Sequence, residues 1–162
     1  FIKDKFPDFA SFSNASMNEI YDREKLSSAL HYEAYEFRSA ILKNQGDGQF
    51  EIQFLPLVAQ LSPLMSAEFV DVNQDGHLDI LGGGNFYVTE TETIRYDAGT
   101  GICLLGDGNG HFTKVSNRES GLLLNGDVRD VKMIHLAKAK IGLLVAGNKE
   151  KLELFVKKGM VK

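Results

Sequence analysis

Two stretches of this chain recur at nearly the same spacing, and that periodicity restricts the possible folds more than any single motif does. Ile102-Cys103-Leu104-Leu105, the Gly/Asp turn Gly106-Asp107-Gly108-Asn109-Gly110 and His111-Phe112-Thr113-Lys114-Val115 form a strand, turn, strand pattern. The same order runs through Tyr35 to Leu42, Asn44 to Gly48 and Gln49 to Phe54, with Phe112 in register 62 residues after Phe50. A second echo, at 63 residues, matches Leu78-Asp79-Ile80-Leu81-Gly82-Gly83-Gly84-Asn85 to Ile141-Gly142-Leu143-Leu144-Val145-Ala146-Gly147-Asn148. Two matches at nearly the same offset indicate an internal repeat, and each unit is a short run of alternating or continuous apolar residues bounded by turn residues, which is the signature of antiparallel β-structure.

Inside the first unit lies Asp71-Val72-Asn73-Gln74-Asp75-Gly76-His77-Leu78-Asp79, with oxygen-bearing side chains at relative positions 1, 3, 5 and 9 around a turn glycine. Ca²⁺ is a hard cation that takes six to eight oxygens at roughly 2.3–2.6 Å, and acids on alternate residues of a tight turn converge on one point. Asp71, Asn73, Asp75 and Asp79 are therefore expected as side-chain ligands of a calcium ion, with His77 contributing its backbone carbonyl. Asp, Asn and Gly also favour tight turns by their own chemistry, yet four such ligands in nine residues exceed what a turn requires. An EF-hand would place a Glu at position 12 and a helix on each side. Position 12 is Gly82, and the flanks Ala67 to Val70 and Leu78 to Leu81 are short apolar runs suited to strands. In the second copy the positions facing Asp71, Asn73, Asp75 and Gly76 are Ile134, Leu136, Lys138 and Ala139, so that copy is expected to keep the strands without the ion.

Residues 1–29 differ from the rest. Pro7 can open a short helix, Ser16-Met17-Asn18-Glu19 has the spacing of a capping box, and Arg23 to Ala29 is rich in helix formers. The expected organisation is a short helical lead over 1–29, followed by β-structure over 30–162. Within the latter, 31–55 forms a partial unit, 66–115 a full calcium-binding unit and 128–162 a degenerate one, with Lys151 to Lys157 as its next strand. Phe86 to Gly99 is an insertion between copies, readable as an exposed hairpin or a mobile loop, and insertions of this kind collect on one face where binding often occurs.

The chain has 162 residues, enough for one core of ordinary size, and a formal net charge of −4, which lacks the basic face of a nucleic-acid binder. No apolar run approaches the roughly 20 residues of a membrane-spanning helix. The first residue is Phe rather than Met, so the chain reads as a piece cut from something longer. Its one cysteine, Cys103, sits in an apolar run and reads as a small buried hydrophobe. His31, His77, His111 and His135 are too scattered for a zinc site, and the turn at Gly106 to Gly110 lacks the Gly-Lys-Ser/Thr ending of a phosphate loop. No nucleophile elbow surrounds Ser116 or Ser120, and Glu90, Glu92, Asp127 and Asp130 read as solvated surface, as do Lys132, Lys138 and Lys140.

Phe69 to Ile80, followed after the insertion by Leu104 to Phe112, resembles the FG-GAP (VCBS-type) repeat of calcium-binding β-propellers, the unit also found in integrin α-subunits and cartilage acidic protein-like proteins. The strong match covers 66–115 and weaker ones cover 31–55 and 128–157. The Phe-Gly and Gly-Ala-Pro elements that name the repeat are absent, with Gly82-Gly83-Gly84 in their place. The resemblance implies a mostly β chain forming part of a propeller of four-stranded antiparallel blades, with a structural Ca²⁺ held by Asp71, Asn73, Asp75, His77 and Asp79. The helical lead and the ending also look like the C-terminal part of large bacterial surface or secreted proteins of this group. The expected function is then a non-enzymatic, calcium-stabilised propeller segment at the cell surface or outside the cell (or in the periplasm), whose loops bind a protein or glycan. An alternative is part of a propeller enzyme, a hydrolase or lyase acting on polysaccharide. Propellers have about four to eight blades; an incomplete set leaves strand edges that invite self-association.

Overall fold

A computed structural model of the chain describes residues 1–137 and 140–156. Lys138 and Ala139 of the second copy, and Lys157 to Lys162 at the end of its expected strand, lie outside the described residues. The chain divides into two compact units, Phe1–Phe37 and Arg38–Lys162.

The first unit contains four short helices: α1 (Ile2–Lys5), α2 (Phe9–Ser13), α3 (Met17–Ile20) and α4 (Arg23–Ser28). Asp8, rather than Pro7, caps α2, its Oδ1 accepting from the Ser11 N–H at 2.7 Å. The Ser16/Glu19 pair forms as its spacing predicts, with Glu19 Oε2 accepting from Ser16 N–H and Oγ–H, both at 2.7 Å. None of the four helices has a buried residue.

The second unit is mostly β-structure in three antiparallel sheets. A hairpin, β1 (Ala40–Gly46) and β2 (Gln49–Phe54), comes first. A four-stranded sheet follows: β3 (Leu64–Val70), β4 (Asp79–Gly84), β5 (Ile102–Gly106) and β6 (Phe112–Lys114), hydrogen-bonded in that order. After a helical turn, α5 (Asn117–Ser120), come β7 (Val128–Leu136), β8 (Lys140–Gly147) and β9 (Glu153–Val156), again in sequence order. The first strand was expected from Tyr35 but begins at Ala40. Its partner β2 ends at Phe54, and although Leu55 N–H still reaches the Ser39 carbonyl (3.1 Å), Pro56 has no N–H with which to extend the ladder.

The second and third sheets share local detail. The β3/β4 ladder has a bulge between Leu64 and Ser66, and the β7/β8 ladder one between Val128 and Asp130. Asn85 N–H bonds to the Pro63 carbonyl (3.1 Å) as Asn148 N–H bonds to that of Asp127 (2.8 Å). They differ at the opposite end. The β3/β4 ladder stops at Val70 opposite Asp79 and opens into the 71–78 loop, while β7/β8 continues to Leu136 opposite Lys140.

Each face of the middle sheet covers a separate core. Ile80, Ile102 and Leu104 pack with Leu55 and Ala59, and with Ile41 of the hairpin. Leu81, on the other face, packs against Val128, Val131, Leu143 and Val145 of the third sheet and Leu122 and Leu124 before it. The strands β3 and β7 meet directly: Ser66 Oγ–H donates to Asp130 Oδ1 (2.9 Å) while its oxygen accepts from Val131 N–H (3.1 Å), and Lys132 Nζ bonds Glu68 at 2.5 Å. Lys132, expected on an exposed face, is exposed and also reaches across the sheets to Glu68. Asp127, expected as solvated surface, is a correction. It is 1% exposed and paired with Arg129 (2.8 Å).

The glycine run permits close packing both toward the third sheet and within the middle one. A Cβ on Gly83 would press on Leu124 Cδ1 and Val128 Cγ1 at 3.0 and 3.2 Å, and one on Gly84 would lie 1.6 Å from the Pro63 carbonyl oxygen. Backbone cannot yield there as a flexible side chain could, so Gly84→Ala is expected to cost at least about 2 kcal/mol, read as a lowered urea midpoint with an unchanged m-value.

Candidate metal centre

The 71–78 loop is built by side chains bonding to its own backbone. Gln74 and Gly76 both take positive φ (+65° and +89°), which turns the chain back on itself; glycine adopts this at no steric cost, a non-glycine residue only against strain. Asp71 closes the turn: its Oδ1 accepts from Gln74 N–H (2.6 Å) and Asp75 N–H (3.2 Å), and its Oδ2 from Gly76 N–H (2.9 Å). Asn73 Oδ1 accepts from the same Asp75 N–H (3.1 Å), and Asn73 Nδ2–H donates to Asp75 Oδ2 (2.8 Å). Asp75 Oδ1 accepts from His77 N–H (2.8 Å). That bond, followed by the one from Asn73, holds the Asp75 carboxyl below its ordinary range.

Asp79 differs from the other three. It opens β4, is fully buried, and spans two elements: Oδ2 accepts from Val72 N–H (2.8 Å) inside the loop and Oδ1 from Gly106 N–H (2.9 Å) at the end of β5. Among the described residues it has no ion-pair partner. A buried carboxylate without a counter-charge is costly even when hydrogen-bonded. Its charge also acts on Cys103, whose thiol is pushed up to about 11 by burial first and the Asp79 carboxylate second.

The structure thus joins Asp71, Asn73 and Asp75 by direct bonds and sets Asp79 across from them on Val72. The His77 ring lies against the neighbouring turn, where a Cβ on Gly108 would sit 2.5 Å from its Nδ1. Among the described residues no three His, Cys, Asp or Glu side chains stand close enough together to hold a metal ion; the expected donor set also contains the Asn73 amide and the His77 carbonyl. In kind the donors fit a hard cation, being all oxygen, and the buried, unpaired charge of Asp79 lacks the positive partner such an ion would supply.

The sequence did not reveal the second half of the site, the β5/β6 turn. Gly106 donates to Asp79 from 27 residues away, and a Cβ there would meet the Leu78 carbonyl oxygen at 2.2 Å. Asp107 fastens this turn, with Oδ1 accepting from Asn109 N–H (2.8 Å) and His111 N–H (3.1 Å) and Oδ2 facing His111 Nδ1 (3.3 Å). The signal available was the Asp-x-Asn-x-His spacing, which suits an Asx turn. The insertion after β4 proves to be hairpin-like, with an antiparallel bridge between Phe86 and Tyr96 and Arg95 bonded to Asp97 at 3.0 Å.

No protein-family model, curated protein or solved structure matches this chain. No helix among the described residues is long and apolar enough to cross a membrane.

Two outcomes follow from this geometry. Asp79→Ala removes the acceptor of the buried Gly106 N–H bond and of the part-buried one from Val72 N–H, so in chelator it should lose roughly 2–4 kcal/mol, measured by urea unfolding. The Asp107 carboxyl is held below the ordinary range by Asn109 N–H first and by His111, and Glu119 likewise by Ser116. Because the folded value is the lower one, this stabilisation is present above the unfolded pKa of about 4 and fades as pH falls through the depressed folded values. The urea midpoint should therefore drop between about pH 4.5 and 2.5, and Asp107→Asn should flatten that decline.

Proposed function

We propose that this chain is a calcium-stabilised segment of a β-propeller, part of a secreted or cell-surface protein, in which the ion fixes the Asp71–Asp79 loop and neighbouring loops engage a protein or glycan. The observation that carries the calcium reading is Asp79: a fully buried carboxylate with no ion pair among the described residues, opening a strand at the ninth position of an all-oxygen loop. The propeller reading is supported by three successive antiparallel sheets, two of them sharing the same bulge and the same strand-end hydrogen bond. On this reading the hairpin is the outer half of one blade, β3–β6 a whole blade and β7–β9 most of a third.

The cleft beside the loop favours binding over hydrolysis. Val72 and Asn73 line it together with aliphatic residues such as Leu81, Leu105 and Leu143, and among the described residues Glu119 is its one carboxylate. Paired acids of the kind that hydrolyse glycosides do not line it among the described residues.

The test is thermal unfolding in excess EGTA and in millimolar Ca²⁺, with Asp75→Ala alongside. At a hundredfold excess over Kd the ion should add about 2.7 kcal/mol, a rise of roughly 5–10 °C for a chain of this size, and Asp75→Ala should abolish it. Equal melting temperatures in EGTA and Ca²⁺ for the unaltered chain would remove calcium from the proposal.

A further inference from the structure

The second and third sheets touch along β3 and β7 but leave a cleft of about 500 Å³ between β4/β5 and β8/β9. Leu81, Cys103 and Leu105 form one wall, Leu143 and Phe155 the other, and Leu122 adds to the lining. Interiors of this kind are normally packed with few voids larger than a water molecule. A mostly apolar space of this volume, bounded by two sheets and a helical turn, has the dimensions of a small-molecule site.

Among the described residues its charged lining is Arg118 and Glu119 of α5. Glu119 turns back to cap its own helix, its Oε2 accepting from Ser116 Oγ–H (2.6 Å) and N–H (3.1 Å). Arg118 is exposed and makes no ion pair among the described residues. The rim of an apolar cleft therefore carries one uncommitted guanidinium, a group whose planar donors suit a carboxylate.

We propose that this cleft binds an amphipathic small molecule of the medium-chain fatty-acid class, with the apolar chain between the sheets and the carboxylate on Arg118. The site is distinct from the calcium reading and does not rest on it: its walls and its cation are separate from the carboxylates of the 71–79 loop, although Val72 and Asn73 border it.

The experiment is calorimetric titration of the full chain with decanoate below its micelle concentration, in EDTA and again in Ca²⁺, with decylamine as the head-group control. Decanoate should bind saturably at one site in both buffers, decylamine at least about tenfold more weakly, and Arg118→Gln should weaken decanoate by about tenfold without altering the melting temperature. Cys103→Leu, which fills the cleft with apolar bulk, should abolish binding. Should that variant fold poorly, amide-shift mapping on the unaltered protein serves instead, with perturbations expected at Leu105, Leu143 and Phe155. Absence of saturable binding, equal affinity for decylamine, or shifts centred on the exposed hairpin residues Leu42, Phe50 and Ile52 would each overturn the proposal.

Discussion

The arrangement of the middle sheet turns on one carboxylate. Asp79 accepts hydrogen bonds from two backbone groups that the β-ladder cannot reach, Val72 N–H in the loop before β4 and Gly106 N–H at the end of β5. Gly106 N–H would otherwise be a buried donor without a partner, at a cost comparable to a lost hydrogen bond. Aspartate suits the position because its two oxygens accept in divergent directions from a short side chain; an amide would turn a donor toward one of the N–H groups. The same contact explains why residue 106 is glycine. Its amide can approach Asp79 only because no Cβ meets the Leu78 carbonyl oxygen, which would lie 2.2 Å away. The loop is in this way anchored to the turn beside it, and the orientation of Asp71, Asn73 and Asp75 follows.

A second constraint acts between sheets. Ser66, Glu68, Asp130 and Lys132 bind β3 to β7 through polar contacts, and the absence of a side chain at Gly83 lets the Val128 side chain at the start of β7 come close. The same closeness is not kept toward β5 and β9, where the cleft opens. Two twisted sheets joined along one pair of strands diverge away from it, and side chains must then fill the widening gap. Here the facing residues include Cys103 and Gly142, which are too small to do so. The buried ion pair of Asp127 with Arg129 belongs to the tight side, where Asn148 Nδ2–H also donates to Asp127 Oδ2 at 3.1 Å.

How far the sequence revealed this follows from which interactions are local. The 71–79 loop was legible because its bonds span two to seven residues, and turn chemistry of that range is written in residue order. The Ser16 capping box was legible for the same reason, and the matching Ser116-x-x-Glu119 pattern was equally available as the start of α5. What was not legible came from partners far apart in the chain. Gly106 on Asp79 and Glu68 on Lys132 lie 27 and 64 residues apart, and Asp127, read as solvated surface, is buried just before β7 with Asn148, 21 residues on, as a partner.

The burial of the strands shows the same limit at the scale of the sheet. β1 alternates between half-buried and exposed at Ala40 to Leu42 because only one of its faces, the one bearing Ile41, meets a core. In β4 every residue is buried except the half-buried Leu81, since Ile80 points into one core and Leu81 into the other. Alternation therefore marks a strand covered on one face and continuity a strand covered on both, and the two occur within one sheet, since β3 alternates beside β4. That distinction could be read as a period in the sequence, but its cause, which strands other elements cover on both faces, exists only once the chain has folded.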